Sequence, residues 1–435
     1  MRRLPSSPPP PPHLPAPVTS AGAAKARGGP RVSRRSALFV AGKLALGRLA
    51  LRAAVPALLC SSIACKESKP EGAAGTTGPS REASLEIVIG HYGSMTGNTA
   101  HFGQDTDKAI RLAVDEKNAA GGLLGKKVRL VTLDDRGDSA EAANAVTRLI
   151  DVEKVSAIIG EVSSSLSLSG GRVAQRRKIP MVSPSSTNPK VTQVGDYIFR
   201  VCFLDPFQGK VMADFARDEL KFDHVAILKD VKNDYSIGLA EAFKAAFTAR
   251  GGSISLEQSY SAGDTDFSAQ ITAIKATKAQ ALYVPGYYAE VGTIARTSRR
   301  LGLGVPLMGG DGWDAPELFE IGGEALEGSF FSNHFAPDVA TAKSQKFVSD
   351  FKAKYGQDPT GLGALGYDAA GALFDAITRS QKTDPTAIRD ALASLEDFEG
   401  VSGKITMNAN RDADKSAVVV AISGGKAKYR ATVAP

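Results

Sequence analysis

From Leu85 onward the chain alternates short apolar runs with segments whose apolar residues recur at helical spacing. Glu86-Ile87-Val88-Ile89-Gly90 reads as a strand. Asp105 to Ala119 then places Ala109, Ile110, Ala113 and Val114 on one helix face, and Gly121-Gly122 stops that helix. The rhythm continues with strands at 127–133, 155–159, 179–182 and 197–201 and helices at 139–152 and 165–176. After Asp205-Pro206 it restarts, predicting helices at 206–220, 236–250, 266–276 and 288–301 and strands at 224–229, 253–259, 280–284 and 305–309. The end breaks the pattern: a strand at 328–333 precedes three successive helices (340–355, 362–380, 385–395) and strands at 403–407 and 416–422. Strand–helix alternation with short connections predicts an α/β fold of doubly wound, open parallel sheets covered on both faces by helices. The interruption divides it into two lobes with crossovers near 203–206, 333–336 and 408–416: 85–204 plus 335–410, and 205–334 plus 411–435. A body of about 350 residues is large enough for two cores.

Two hydroxyl-rich segments follow apolar strands directly: Ser163-Ser164-Ser165 after Val155–Gly160, and Ser183-Pro184-Ser185-Ser186-Thr187-Asn188-Pro189 after Ile179–Val182. In an open parallel sheet ligands bind beyond the carboxyl ends of the strands. Loops there present backbone N–H groups, hydroxyls and helix N-termini, a donor set suited to a carboxylate. With no base nearby to activate a hydroxyl, the pair reads as a recognition site.

Charge separates the ends from the body. The 435-residue chain holds 53 Lys and Arg; ten lie in the first 65 residues, which contain no Asp or Glu, leaving 43 basic against 46 acidic groups beyond. The overall charge of +7 therefore belongs to the leader and implies no nucleic-acid partner. Ser33-Arg34-Arg35 opens a moderately apolar run reaching Cys65, the composition of an export signal with twin-arginine character, behind a Pro-rich low-complexity stretch at 5–17. Lys66 to Ser84 reads as a flexible linker. No permanent membrane span is expected. Of three cysteines, only Cys202 lies in the body, so neither an intrachain disulfide nor a cysteine metal cluster is expected.

Catalytic patterns are missing from the body. His91, His101, His224 and His334 form no HExxH or Cys/His set, and His91 and His101, which flank the first loop, read as surface or capping groups. The serines lack a G-x-S-x-G elbow. Gly121-Gly122-Leu123-Leu124-Gly125-Lys126 departs from a phosphate loop, since Lys127 replaces the Ser or Thr. No enzyme activity, metal or cofactor is expected.

Gly-Ser-Met-Thr-Gly (93–97) before Phe102-Gly103, Asn118–Gly122, Leu133-Asp134-Asp135 and Ser183–Pro189 recur in order with Asp234-Tyr235-Ser236-Ile237-Gly238, Asp266-Phe267-Ser268, Gly286-Tyr287-Tyr288-Ala289-Glu290 and Met308–Trp313. Over about 86 to 425 this set resembles the branched-chain amino acid-binding proteins of ABC transporters. The resemblance implies the type I periplasmic binding fold: two lobes, joined by three strands, closing over one ligand. It implies that Ser164 and Thr187 meet an α-carboxylate, with Ser186 beside them, and that the Ser185 carbonyl and Asp311 meet the α-ammonium. Tyr235 and Tyr287 would sit on the far lobe and Phe102 over the ligand side chain. The best-known members carry Glu at 311 and Trp at 102, so the pocket differs in size. Trp313 is expected in core or hinge packing. Cys65 resembles the acylated cysteine of bacterial lipoproteins, with Ala64 before it, although Ser62 stands where leucine is usual. The partners implied are an amino acid, most simply Leu, Ile or Val, and the permease and ATPase of an importer. The protein would be a monomer of the periplasm or cell envelope whose membrane contact is a lipid anchor. The alternatives are a sensory module reporting to a separate receptor or kinase, and ligands such as urea, short amides or aromatic acids.

Overall fold

The computed structural model describes residues 86–337 and 341–435. The export signal assigned to 1–65, Cys65 and the linker 66–84 lie outside these residues.

The first sheet is wholly parallel. Its strands are β1 (Glu86–Gly93), β2 (Lys127–Asp134), β3 (Ala157–Ile159), β4 (Met181–Ser183) and β5 (Ile198–Arg200), in the order β2-β1-β3-β4-β5. Alternate side chains go to opposite faces, as the pleat requires. Ala157 and Ile159 pack with Leu365, Ala369 and Leu373 of the helix Gly361–Ser380, while Ile158 packs with Ala142, Val146 and Leu149 of the helix Ser139–Asp151. Both faces of β3 are buried, so it carries an unbroken apolar run.

The second sheet takes β6 (His224–Asp230), β7 (Ser253–Tyr260), β8 (Ala281–Tyr283), β9 (Leu307–Gly309) and β10 (Phe330–Asn333). A three-stranded patch of β11 (Phe398–Gly400), β12 (Gly403–Met407) and β13 (Ala413–Asp414) intervenes before β14 (Ala417–Ser423) and β15 (Lys426–Val433) complete the second sheet. Its order is β15-β14-β10-β9-β8-β6-β7, with β14 antiparallel to both neighbours. Val225 and Ile227 face Phe243 and Phe247; Ala226 and Leu228 face Val291 and Ile294.

The chain passes between the sheets three times: after Arg200, after Asn333, and between Asp414 and Ala417. Three helices, Ala342–Tyr355, Gly361–Ser380 and Pro385–Ala393, are inserted between the second and third passages; the first two contribute to cores beneath the first sheet's helix Ala100–Ala119. That helix begins at Ala100 rather than 105: its opening residues Ala100 to Gln104 set up no apolar repeat at helical spacing, although His101 and Phe102 are buried. Gly122 ends it with φ of 80°, close against the Lys126 carbonyl, where a side chain would clash. Sequence periodicity also missed β15, whose mostly exposed Lys-Ala-Lys-Tyr-Arg pattern is that of a solvated edge, and the short helix Pro316–Gly322. No helix among the described residues is long and apolar enough to cross a membrane.

Candidate functional site

Both serine loops leave the carboxyl ends of adjacent strands, β3 and β4. Ser164 starts the helix Ser164–Arg177 and is buried, with its Oγ accepting from the Asn188 N–H at 3.3 Å and its own proton uncommitted. Ser185 and Thr187 are also buried, and neither hydroxyl closes a hydrogen bond of 3.5 Å or less within the described residues, although Thr187 lies near enough to the Asp205 carboxyl to oppose the rise that burial gives it. Leaving such a group unpaired costs about 1–3 kcal/mol, so two together mark a place built to receive an acceptor.

Ser186 does something else. Its hydroxyl is engaged with the Glu161 and Val162 carbonyls and Ser167 Oγ, and its N–H donates to Ser183 Oγ. The expectation that Ser186 contacts ligand is therefore corrected: this side chain turns into the lobe and staples the two loops. Glu161 is the hub, since its carbonyl accepts from Ser167, Ser183 and Ser186 and its carboxyl meets the Ser94 N–H, Ser94 Oγ and the Ser163 N–H. Ser94 Oγ also lies 3.0 Å from Asp135 Oδ1. One hydroxyl proton cannot serve two carboxylates, so the pair holds an additional proton. Accordingly burial, then the Asp135 charge, pushes Glu161 up to about 8, and burial raises Asp135 to about 6. Beneath the second loop, fully buried Arg200 binds Asp412 Oδ1 at 2.7 Å and donates to the Ser186 and Asn188 carbonyls.

On the second sheet's side, Tyr235 opens the helix Asp234–Ala249, Tyr287 precedes the helix Tyr288–Arg300, and Asp311 begins a 3-10 turn after β9. Tyr235 OH donates to Asp311 Oδ1 at 2.9 Å and accepts the Gly312 N–H at 3.1 Å. Tyr287 stacks on Tyr235 with ring centroids 5.3 Å apart, and Phe102 meets Tyr287 edge-on at 5.4 Å. Phe102, Tyr287, Tyr235 and Asp311 thus form one continuous wall. Tyr288 also packs on Phe102, at 4.9 Å. Trp313 lies wholly in the core beside Phe331, its Nε1 bound to the Val284 carbonyl.

The two halves touch. Ser163 Oγ and Tyr287 OH are 2.9 Å apart, Ser165 Oγ bonds Asp234 at 3.1 Å, and Asn188 Nδ2 donates to the Asp234 carbonyl at 2.7 Å. Asp205 N–H donates to the Thr187 carbonyl at 3.0 Å, tying the hydroxyl loop to the first helix of the other half. Beside this seam a cavity of about 400 Å³ is lined by Thr99, Arg136, Ser163, Asn233, Tyr287 and Glu290. A larger groove of about 750 Å³ runs outside, along Ala242, Ala245 and Ala249, and meets the site only at its edge.

Sequence reasoning missed Glu161, Arg200, Asp205 and His334. Asp205 is buried, and burial raises its carboxyl to about 7. His334 belongs to no catalytic or metal-binding sequence pattern, yet its Nε2 lies 2.9 Å from Asp311 Oδ2. Arg200 and His334 sit where the chain passes between sheets, a position that periodicity does not mark as chemical. No cluster of three metal-ligating side chains occurs among the described residues. The arrangement offers neutral donors on one half and a buried carboxylate with aromatic walls on the other: it can hold a small molecule bearing an anion and a cation.

Most of the described chain is similar to known proteins. Residues 86–426 match the profile of a family described as periplasmic binding protein. A Leu/Ile/Val-binding protein homolog of Brucella melitensis is 32% identical over 343 residues, covering 78% of this chain and 92% of the relative. A leucine binding protein from Thermotoga maritima superposes with a TM-score of 0.78 at 43% identity, covering 80% of this chain and 99% of that one. A branched-chain amino acid transporter substrate binding protein from Streptococcus pneumoniae, solved with isoleucine, gives a TM-score of 0.77 at 34% identity, covering 80% and 100%.

Proposed function

The chain belongs to the periplasmic binding protein family, and from that premise we propose that it captures a branched-chain amino acid between its two lobes and delivers it to an ABC importer. The observation that carries the reading is the division of labour across the seam. Uncommitted hydroxyls at Ser164, Ser185 and Thr187 lie on one half, and the buried Asp311 carboxylate lies on the other. Burying either end of a zwitterion unpaired is very costly. Neutral donors serve the carboxylate without adding a second buried charge, while one carboxylate balances the ammonium. Phe102 and Tyr287 supply apolar faces for an aliphatic side chain.

Because the two ends of the ligand engage different lobes, binding favours the shut arrangement, and the importer would recognise that arrangement. Export of the chain and acylation of Cys65 complete the proposal, placing it at the outer face of a membrane.

Titration calorimetry with L-leucine, L-isoleucine and L-valine tests this directly. Saturable binding of at least one, with loss on removing either the amine or the carboxylate from the ligand, is expected. Absence of heat with all three, alongside tight binding of a solute lacking an amine, would refute it.

A further inference from the structure

His334 follows β10 directly, at the start of the second passage between the sheets, and is buried. Its ring stacks on Phe203 of the first passage, with centroids 3.7 Å apart and 27° between planes. Its Nε2 meets Asp311 Oδ2 at 2.9 Å, while Tyr235 holds the other oxygen. An ionised carboxylate only accepts, so Nε2 carries the proton and Nδ1 is a bare lone pair. Nδ1 is buried with no partner among the described residues, so a second proton there would be an unpaired buried donor.

We infer that His334 is a positioning residue for the ammonium-binding carboxylate: its Nε2–H fixes Asp311 Oδ2 and anchors that carboxylate to two of the three interlobe passages. This rests on reading Asp311 as the partner of the ligand amine. A carboxylate held at one oxygen can still turn about its Cβ–Cγ bond; held at both, it presents its remaining lone pairs in one direction. A neutral donor does this while leaving the negative charge intact for the ligand. Lysine or arginine at 334 would cancel that charge.

The groups facing the imidazole agree. Asp311 lies on the turn after β9, Phe203 in the first passage, and the Lys415 ammonium in the third. Burial lowers the affinity of His334 for a second proton, the Asp311 hydrogen bond and charge oppose this, and Lys415 reinforces it. Imidazolium beside Asp311 would compete with the ligand ammonium. Protonation of His334 and ligand binding therefore oppose each other, and affinity falls as pH falls.

The test is calorimetry of the full chain with L-leucine at several pH values, about 7.5 down to about 5. Replacing His334→Leu should weaken binding about 10- to 100-fold, the range for a lost hydrogen bond to a charged group. His334→Gln, whose amide N–H can reach the same oxygen, should recover most of that loss and flatten the fall in affinity that the unaltered chain shows toward low pH. Asp311→Asn is the control: if it binds leucine like the unaltered chain, the reading of the site fails, and this inference with it. If Asp311→Asn is impaired but His334→Leu binds normally, the inference alone is overturned. Should His334→Leu lack a cooperative thermal transition, His334→Gln decides, and a pH profile superimposing on that of the unaltered chain overturns the proposal.

Discussion

Asp311→Asn is the sharpest perturbation of the site because it removes a charge and almost no volume. Asp311 is 3% exposed, and its partners Tyr235 and His334 are uncharged donors, so its negative charge is not neutralised by its hydrogen bonds. An ammonium about 4 Å away gains about 4 kcal/mol at an effective dielectric of about 20. A hydrogen bond to a charged group is worth about 1.5–3 kcal/mol, and the two figures describe one interaction rather than a sum. Allowing for the dipole that asparagine retains, leucine binding should weaken by about 3 kcal/mol, near two decades in Kd. Calorimetry should be run in parallel with 4-methylpentanoate, which is leucine without its amine. For that ligand Asp311→Asn should cost nothing or improve binding, because a buried carboxylate no longer faces a second one. Equal losses for both ligands would refute the pairing of Asp311 with an amine, as would an unchanged affinity for leucine.

Thr187→Ala should weaken leucine by about 1.5–3 kcal/mol while sparing 3-methylbutylamine, which lacks the carboxylate; calorimetry of both ligands separates the effects. The Glu161–Ser94–Asp135 cluster predicts a pH dependence of stability. Since Glu161 is raised from 4.5 to about 8, its contribution is fully present below about 4.5 and is lost as pH rises through about 8. Thermal melts should therefore show the unaltered chain losing stability as pH rises from about 4.5 to about 8 and levelling off above that, with Glu161→Gln losing less. Arg200→Ala should destabilise the fold by about 3–5 kcal/mol in urea unfolding, because it strands Asp412 as an unpaired buried charge and frees the Ser186 and Asn188 carbonyls.

What could be read from the sequence follows from what periodicity encodes. Ile87, Ile89, Ala157 and Ile159 announced buried strands because both sheet faces are covered, and the helices of 236–250 and 288–301 announced themselves by their apolar stripes. β15 stayed silent because an edge strand exposed to water needs no apolar alternation. In the site, the hydroxyl loops were visible because short polar runs directly after buried strands are conspicuous. Ser186 was misplaced because sequence gives residue type and not direction: of four consecutive hydroxyl and amide side chains, one had to turn inward to fasten the loop. His334 and Arg200 were illegible for a related reason. Their partners, Asp311 and Asp412, lie 23 and 212 residues away, and only the passages between sheets bring them together.

The seam itself explains why a two-ended ligand suits this architecture. Among the contacts that join the halves, Ser163 with Tyr287 and Asn188 with the Asp234 carbonyl are neutral hydrogen bonds worth about 0.5–1.5 kcal/mol net each, while the Asp234 carboxylate, met by Ser165 and Lys190, is partly exposed, so its ion pair adds about 0–1 kcal/mol. When the lobes part, each of these groups can exchange its partner for water, so the contacts alone bias the equilibrium weakly. A molecule that spans the seam adds its differential affinity for the shut state, and about 5.5 kcal/mol suffices to move an equilibrium from 1:99 to 99:1. The hydroxyl loops can supply part of that and Asp311 the rest, but only a ligand with both ends engages both. A carboxylic acid or an amine alone would fill half of the site and leave the lobes nearly as free to part as before.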